Sequence, residues 1–129
     1  MNPPDLRTIY RHYLDCLNRR DWTSLGQFVA DDVQHNGRPL GVSGYREMLE
    51  RDVREIPDLH FDIELLTIEA PFVASRLRFD CTPSHAFLGL PVGGKRITFA
   101  ENVFYRFRGE KIAQVWSVID KAEIEAQLS

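Results

Sequence analysis

Arg96-Ile97-Thr98-Phe99-Ala100-Glu101-Asn102-Val103-Phe104-Tyr105-Arg106-Phe107 is followed by the polar step Arg108-Gly109-Glu110 and then by Lys111-Ile112-Ala113-Gln114-Val115-Trp116-Ser117-Val118-Ile119-Asp120. Both runs are dense in β-branched and aromatic residues, and the short glycine-bearing turn predicts a long antiparallel hairpin. Along the first run Phe99, Glu101, Val103, Tyr105 and Phe107 share one parity, so Glu101 interrupts an apolar row, while Thr98, Ala100, Asn102 and Arg106 line the other face. A buried glutamate needs a partner, and Arg76 or Arg78 on the preceding strand is the expected one, either as an ion pair in a subunit interface or at a catalytic centre. On the second run Gln114, Trp116, Val118 and Asp120 share a face. Trp116 is therefore expected to wall the same space as Asp120.

Asp120 closes an otherwise apolar strand and has two readings of equal weight. In an enclosed site its charged form would lose water and its pKa would climb from about 3.9 toward a proton-transfer range. As a helix N-cap it would start a terminal helix over Lys121 to Leu128, with Glu123 three residues on in a loose capping box.

Working outward, Leu6, Ile9, Tyr10, Tyr13, Leu14 and Leu17 recur at helical spacing, and Pro3-Pro4-Asp5 supplies a start, so residues 5–18 form an amphipathic helix. Tyr13 on its apolar stripe is either core or a hydroxyl donor to a pocket. Asp21 to Val29 reads as a shorter second helix, and Asp31 to Gly41 as a short extended piece running into a glycine- and proline-rich turn that holds His35. Ser43 can cap a third helix from Gly44 to Ile56 with Tyr45, Met48, Leu49, Val53 and Ile56 on its apolar face. Strands over His60 to Glu69 and Phe72 to Thr82 reverse at Ala70-Pro71, and a lid-like loop from Pro83 to Lys95 precedes the hairpin. Helices first and antiparallel strands after them give an α+β layout, a curved sheet wrapped around helices, with a conical pocket suited to a small, mostly apolar ligand.

The chain has 129 residues and a formal net charge of -3 with acids and bases intermixed. That length fits a single domain over 1–129, and the charge disfavours a nucleic-acid partner. Cys16 and Cys81 make no disulfide framework, Met1-Asn2-Pro3-Pro4-Asp5 lacks signal-peptide character, and no apolar stretch approaches a membrane span. A reducing, cytoplasmic setting is expected. Cys81 with His85 falls short of the three or four ligands a metal site needs. His12 and His60 sit on polar faces, and His35 is either a turn residue beside Asp31 and Asp32 or a pocket group.

The Asn18-Arg19-Arg20-Asp21-Trp22 step, the His35 run to Gly41, Phe87-Leu88-Gly89-Leu90-Pro91 before Gly94-Lys95-Arg96-Ile97-Thr98-Phe99, and Trp116-x-x-x-Asp120 together resemble a SnoaL-like polyketide cyclase over nearly the whole chain. That family belongs to the nuclear-transport-factor-2-like, or cystatin-like, superfamily. The resemblance implies a cone-shaped α+β barrel, a homodimer with one deep pocket per subunit, no cofactor, and a small apolar or polyketide-like substrate. It also implies an acid/base aspartate on the last strand, where Asp120 stands. Arg76 and His35 match an arginine and a histidine frequent in relatives. Cys81-Thr82-Pro83 departs from the Gly-Thr-His step of many of them, with His85 displaced by two.

Aldol closure requires a base at carbon flanked by carbonyls and a donor to the carbonyl oxygen that is attacked. The expected catalytic residues are Asp120 and His35, and the expected substrate-binding residues are Tyr13, Arg76, Phe99, Asn102 and Trp116. Asn102 and His85 are further candidates for hydrogen-bond donor. The rival readings are a non-catalytic ligand-binding or dimerisation module, and an isomerase or epoxide hydrolase. The last wants an Asp-Arg-Asp cluster, for which Arg78 and Asp80 are the candidates beside Asp120.

Overall fold

Asp5 starts the first helix, its carboxylate accepting from the amides of Arg7 and Thr8 at 3.1 and 3.2 Å and from the Thr8 hydroxyl at 2.8 Å. The computed structural model describes residues 5–128, so Pro3 and Pro4 of the expected start lie outside the described residues. Helix α1, Leu6–Asn18, buries Leu6, Tyr10, Tyr13, Leu14 and Leu17 on one face. Asn18 then clamps the backbone of Phe61 from both sides, at 3.1 and 2.8 Å, and Arg20 donates to the carbonyls of Leu17 and Leu59. The Asn18-Arg19-Arg20 step thereby ties the end of α1 to the approach to the sheet.

Most boundaries lie within two residues of the spacing, and the larger differences are in the second and third helices. The second helix is a 3-10 helix, Trp22–Gln27, and Val29, read as helical, opens strand β1, Val29–His35. Val29 and Val33 are fully buried there, and burial in the sheet outweighs the weak helical periodicity of a short segment. Helix α2, Gly41–Glu55, begins at Gly41, with Leu40 in the cap position and no capping side chain. Ser43 therefore lies inside the first turn.

The remaining elements are β2, Asp62–Glu69; β3, Phe72–Cys81; β4, Ile97–Arg108; β5, Lys111–Ile119; and α3, Lys121–Gln127. They assemble a five-stranded mixed sheet in the order β1-β5-β4-β3-β2. β1 runs parallel to β5 and the other neighbours are antiparallel. The extended piece read before the third helix thus becomes an edge strand. Helices cover one face of the curved sheet, and the core fills the space between them.

One irregularity governs the hairpin. Near the turn Phe107 faces Ile112, but one step further Arg106 faces Gln114, so Ala113 is an extra residue, a β-bulge. Beyond it Tyr105 pairs with Val115, Val103 with Ser117 and Glu101 with Ile119. A bulge of one residue sends every later side chain to the opposite face. Val115, Ser117 and Ile119 consequently point toward the helices, while Gln114, Trp116, Val118 and Asp120 point away.

Where β5 stops, α3 takes its place along β4. The Asp120 amide donates to the Ala100 carbonyl at 2.8 Å, and Glu123 accepts from the Ala100 amide at 3.0 Å. Gln127 accepts from the Thr98 amide at 2.9 Å and donates back to its carbonyl at 2.5 Å. Two helix side chains four residues apart thus satisfy strand groups that β5 no longer reaches. Glu123 also accepts from Arg78 at 2.7 Å and Arg76 at 3.4 Å, which holds its carboxyl below the usual range, Arg78 being the largest cause. Among the described residues no helix is long and apolar enough to cross a membrane.

Glu123→Gln should cost about 1–2 kcal/mol near neutral pH, from weakened charge-assisted hydrogen bonds. Because the folded carboxyl is the more acidic one, this stabilisation is present above the unfolded pKa of about 4.5 and is lost as pH falls through the folded value. Denaturant melts of both proteins from pH 7 to pH 3 should converge at the acidic end.

Candidate functional site

Between the helix-facing side of the sheet and the helices lies a cavity of about 470 Å³. Its floor comes from the bulge-shifted half of the hairpin: Glu101, Val103 and Tyr105 of β4 with Val115, Ser117 and Ile119 of β5. Tyr13 and Leu17 of α1 and Tyr45, Met48, Leu49 and Asp52 of α2 form the opposite wall. His35 ends β1 and Asn36 follows it, Phe87 and Leu88 come from the loop before β4, and Lys121 stands at the start of α3. Asn36 extends the β1 edge, its side chain bonding the Ser117 amide at 2.8 Å and carbonyl at 3.2 Å.

Two carboxyls face this cavity. Glu101 receives the Ser117 hydroxyl and has no ion-pair partner among the described residues. It keeps the small accessible surface that a cavity-lining group must have, yet burial drives its pKa up against the opposing effect of the Ser117 bond. Asp52 has neither a side-chain hydrogen bond nor an ion pair among the described residues. Burial, reinforced by the charges of Glu101 and Glu55, pushes it up to about 6. Two acids lining one cavity disfavour each other's ionised form, and the charge of Glu101 is among the causes that raise Asp52.

His35 adds a neutral donor or acceptor. Burial, with Arg38 nearby, lowers its pKa, and its Nδ1 is buried without a protein partner while the ring lies 6.3 Å from that of Tyr45. A buried ring nitrogen without a partner costs free energy that a ligand can recover. The Tyr13 and Tyr45 hydroxyls bond each other at 2.6 Å. One proton of that pair closes the bond, and the second hydroxyl hydrogen remains free to donate.

Of the residues expected from sequence, Tyr13 and His35 line the main cavity, and Phe99 lines a smaller adjoining one. Asp120, Arg76, Asn102 and Trp116 do not. The bulge at Ala113 carries Trp116 and Asp120 to the outer face, where Trp116 is 38% exposed. Asp120 caps α3, accepting the Glu123 amide at 3.3 Å, and lies 3.8 Å from Arg76. Arg76 also meets Asn102 at 2.9 Å and Glu64 at 3.4 Å. The expected partnership of Glu101 with Arg76 or Arg78 is not made, because those arginines face outward to Glu64 and Glu123. Asp80 binds Arg96 at 2.7 Å, so no acid-arginine-acid cluster forms in the cavity. His85 is exposed in the loop.

Asp52 is the functional candidate that sequence reasoning missed. Tyr45, Leu49 and Ile56 mark the buried face of α2, and Asp52 follows Leu49 by three and precedes Ile56 by four, so helical spacing places it on that face. An acid in an apolar stripe is the signal that would have found it.

The model of the SnoaL-like polyketide cyclase family matches residues 7–128. The crystal structure of a SnoaL-like polyketide cyclase from Agrobacterium tumefaciens is 53% identical, covers 100% of both chains and superposes with a TM-score of 0.96. TsrD from Streptomyces laurentii, 21% identical over 100% of this chain and 98% of its own, shares the fold with a TM-score of 0.83. IdmH from Streptomyces antibioticus, 20% identical over 97% and 99%, does so with a TM-score of 0.82. Among curated proteins none matches the chain significantly. The chain belongs to the SnoaL-like polyketide cyclase family.

The Asp52 carboxyl titrates higher in the folded chain than in the unfolded one, so its ionisation removes stability as pH rises from about 4 to about 6. Asp52→Asn escapes that loss. Its stability relative to the native sequence should therefore climb by roughly 2 kcal/mol between pH 4 and pH 7, since a tenfold change in an ionisation constant is worth about 1.4 kcal/mol. Thermal or urea melts across that range test this, and a difference that does not change with pH refutes it.

Proposed function

We propose that this chain closes a ring by intramolecular aldol condensation of a small polyketide-like carbonyl compound, with Asp52 as general base and Glu101 as general acid. The observation that carries the reading is two carboxyls facing one largely apolar cavity with no ion-pair partner among the described residues. A base is most effective when its pKa lies near the working pH, and Asp52, at about 6, is ionised but still basic at pH 7. Glu101, whose carboxyl burial raises above its ordinary range against the opposing Ser117 bond, is the proton donor in this reading.

In this reading Asp52 takes a proton from carbon flanked by two carbonyls. The resulting enolate carbon bonds to a second carbonyl carbon, whose π electrons move onto oxygen. Glu101 delivers its proton to that oxygen, giving an alcohol, and the proton on Asp52 then returns to Glu101. No net proton is gained or lost. His35 and the free tyrosine hydroxyl are placed to hold substrate oxygens, and the apolar walls exclude water that would weaken these bonds.

Deuterium uptake at C2 of ethyl 2-methylacetoacetate in D2O isolates the first step from ring closure. Asp52→Asn should slow catalysed exchange by about 10²- to 10⁴-fold, whereas Asp120→Asn, which preserves a capping side chain, should leave it near the native rate. The native rate should rise with pH through about 6 as Asp52 ionises. An intact Asp52→Asn rate with a lost Asp120→Asn rate would return the role to the strand-end aspartate. A native chain that accelerates nothing would leave a binding module.

The same reading takes the protein as a cytoplasmic homodimer, for which its two buried, unbridged cysteines suit a reducing setting. On the outer face, Ala74, Phe104 and Trp116 lie in register across three strands, with Leu65 and Val118 in the next row. Leu65 is 62%, Phe104 56% and Val118 68% exposed. This outer sheet face, apolar at Ala74, Phe104 and Trp116 and carrying Arg76 and Asn102 between Leu65 and Val118, supports a second copy as its cover. Light scattering should give twice the chain mass for the native sequence and one chain mass for Phe104→Asp. A native monomer at about 100 µM, far above the Kd of a stable dimer, rules the dimer out.

A further inference from the structure

The two cavity carboxyls stand at a junction. Beside the main cavity lies a second void of about 60 Å³, and Asp52 and Glu101 line both. The residues that belong to the small void alone are Ile56, Leu59, Phe79 and Phe99, all buried. Phe61, Phe79, Phe99 and Phe87 form a continuous chain of rings around it, with centroids 5.4, 5.2 and 5.4 Å apart. Apart from the two carboxyls at its entrance the void offers no hydrogen-bonding side chain among the described residues. Such a space disfavours water, which needs two to four polar partners, and favours hydrocarbon.

We infer that this annex is a subsite for a short alkyl substituent of the substrate, carried on or beside the carbon that lies between Asp52 and Glu101. The inference rests on the proposed acid/base reading for the identity of that carbon, while the annex itself is a matter of shape and polarity. A volume of about 60 Å³ corresponds to roughly two methyl-sized groups, since a water occupies about 30 Å³ in the liquid. The chain is thus selective for ethyl-sized substituents and against butyl. Seating that group also fixes which face of the substrate carbon meets Asp52, which a 470 Å³ cavity alone would leave loose.

Two binding measurements on the full chain test this without turnover. Xenon under pressure should shift the methyl carbon-proton signals of Ile56, Leu59 and Ile119 saturably and ahead of the other core methyls. Affinity for ethyl acetoacetate and its 2-methyl, 2-ethyl, 2-propyl and 2-butyl derivatives should rise about fourfold per carbon up to ethyl and drop at butyl. Ile56→Ala should move the optimum to propyl or beyond. Ile56→Val, which removes one carbon and keeps the core, should raise the relative affinity for propyl if the larger truncation does not fold. Absent or unsaturable xenon shifts, or an alkyl series that is flat or rises through butyl, overturn the subsite. Because deuterium exchange in Asp52→Asn reads the chemistry separately, an unchanged exchange rate with an ethyl optimum would sink only the acid/base assignment. A lost rate with a flat alkyl series would sink only the annex.

Discussion

A single extra residue in the last hairpin determines which half of β5 faces the cavity. Continued without interruption from its turn, the hairpin would set Gln114, Trp116, Val118 and Asp120 against the helices. The bulge at Ala113 replaces them with Val115, Ser117 and Ile119. The floor of the cavity, the hydroxyl that holds Glu101 and the outward position of Asp120 all follow from that shift, because side chains alternate with a period of two and a displacement of one inverts the whole set.

The inversion also sorts charge. Arg76, Arg78 and Arg96 of the sheet and its approach find their acids outside, in Glu64, Glu123 and Asp80. Glu101 and Asp52 are left inside with each other. Exposed pairs of this kind contribute little individually, so the larger consequence of placing the arginines outside is that the interior acids remain unneutralised. Their raised pKa values are a cost in folding and a resource for moving protons, the combination found at sites built for acid/base work.

Much of this was legible beforehand, for identifiable reasons. The helical spacing of Leu6 to Leu17 and the β-branched density of the hairpin are strong periodic signals, and the α+β layout followed from their order. Glu101 announced itself by breaking an apolar row. The arginine partner expected for it failed because Arg76 and Arg78 occupy the opposite parity of β3. The role of Asp120 turned on the register of β5, and the bulge has no signature in Gln114 or its neighbours: Ala113 is small and can sit on either face. Residue type alone could not separate a cap from a pocket acid. Asp52 was visible in principle, as one polar position in the stripe of α2, but a lone acid on a helix is more often solvated.

The way α3 is fastened to β4 bears on how the chain behaves when it loosens. Glu123 and Gln127 occupy backbone groups at Thr98 and Ala100 that would otherwise form an open β-edge beside Phe99 and Val103. Release of this short helix would uncover a ready template for adding a foreign strand. Helix α3 thus covers a sheet edge as well as packing on it, and conditions that protonate Glu123 would weaken that cover.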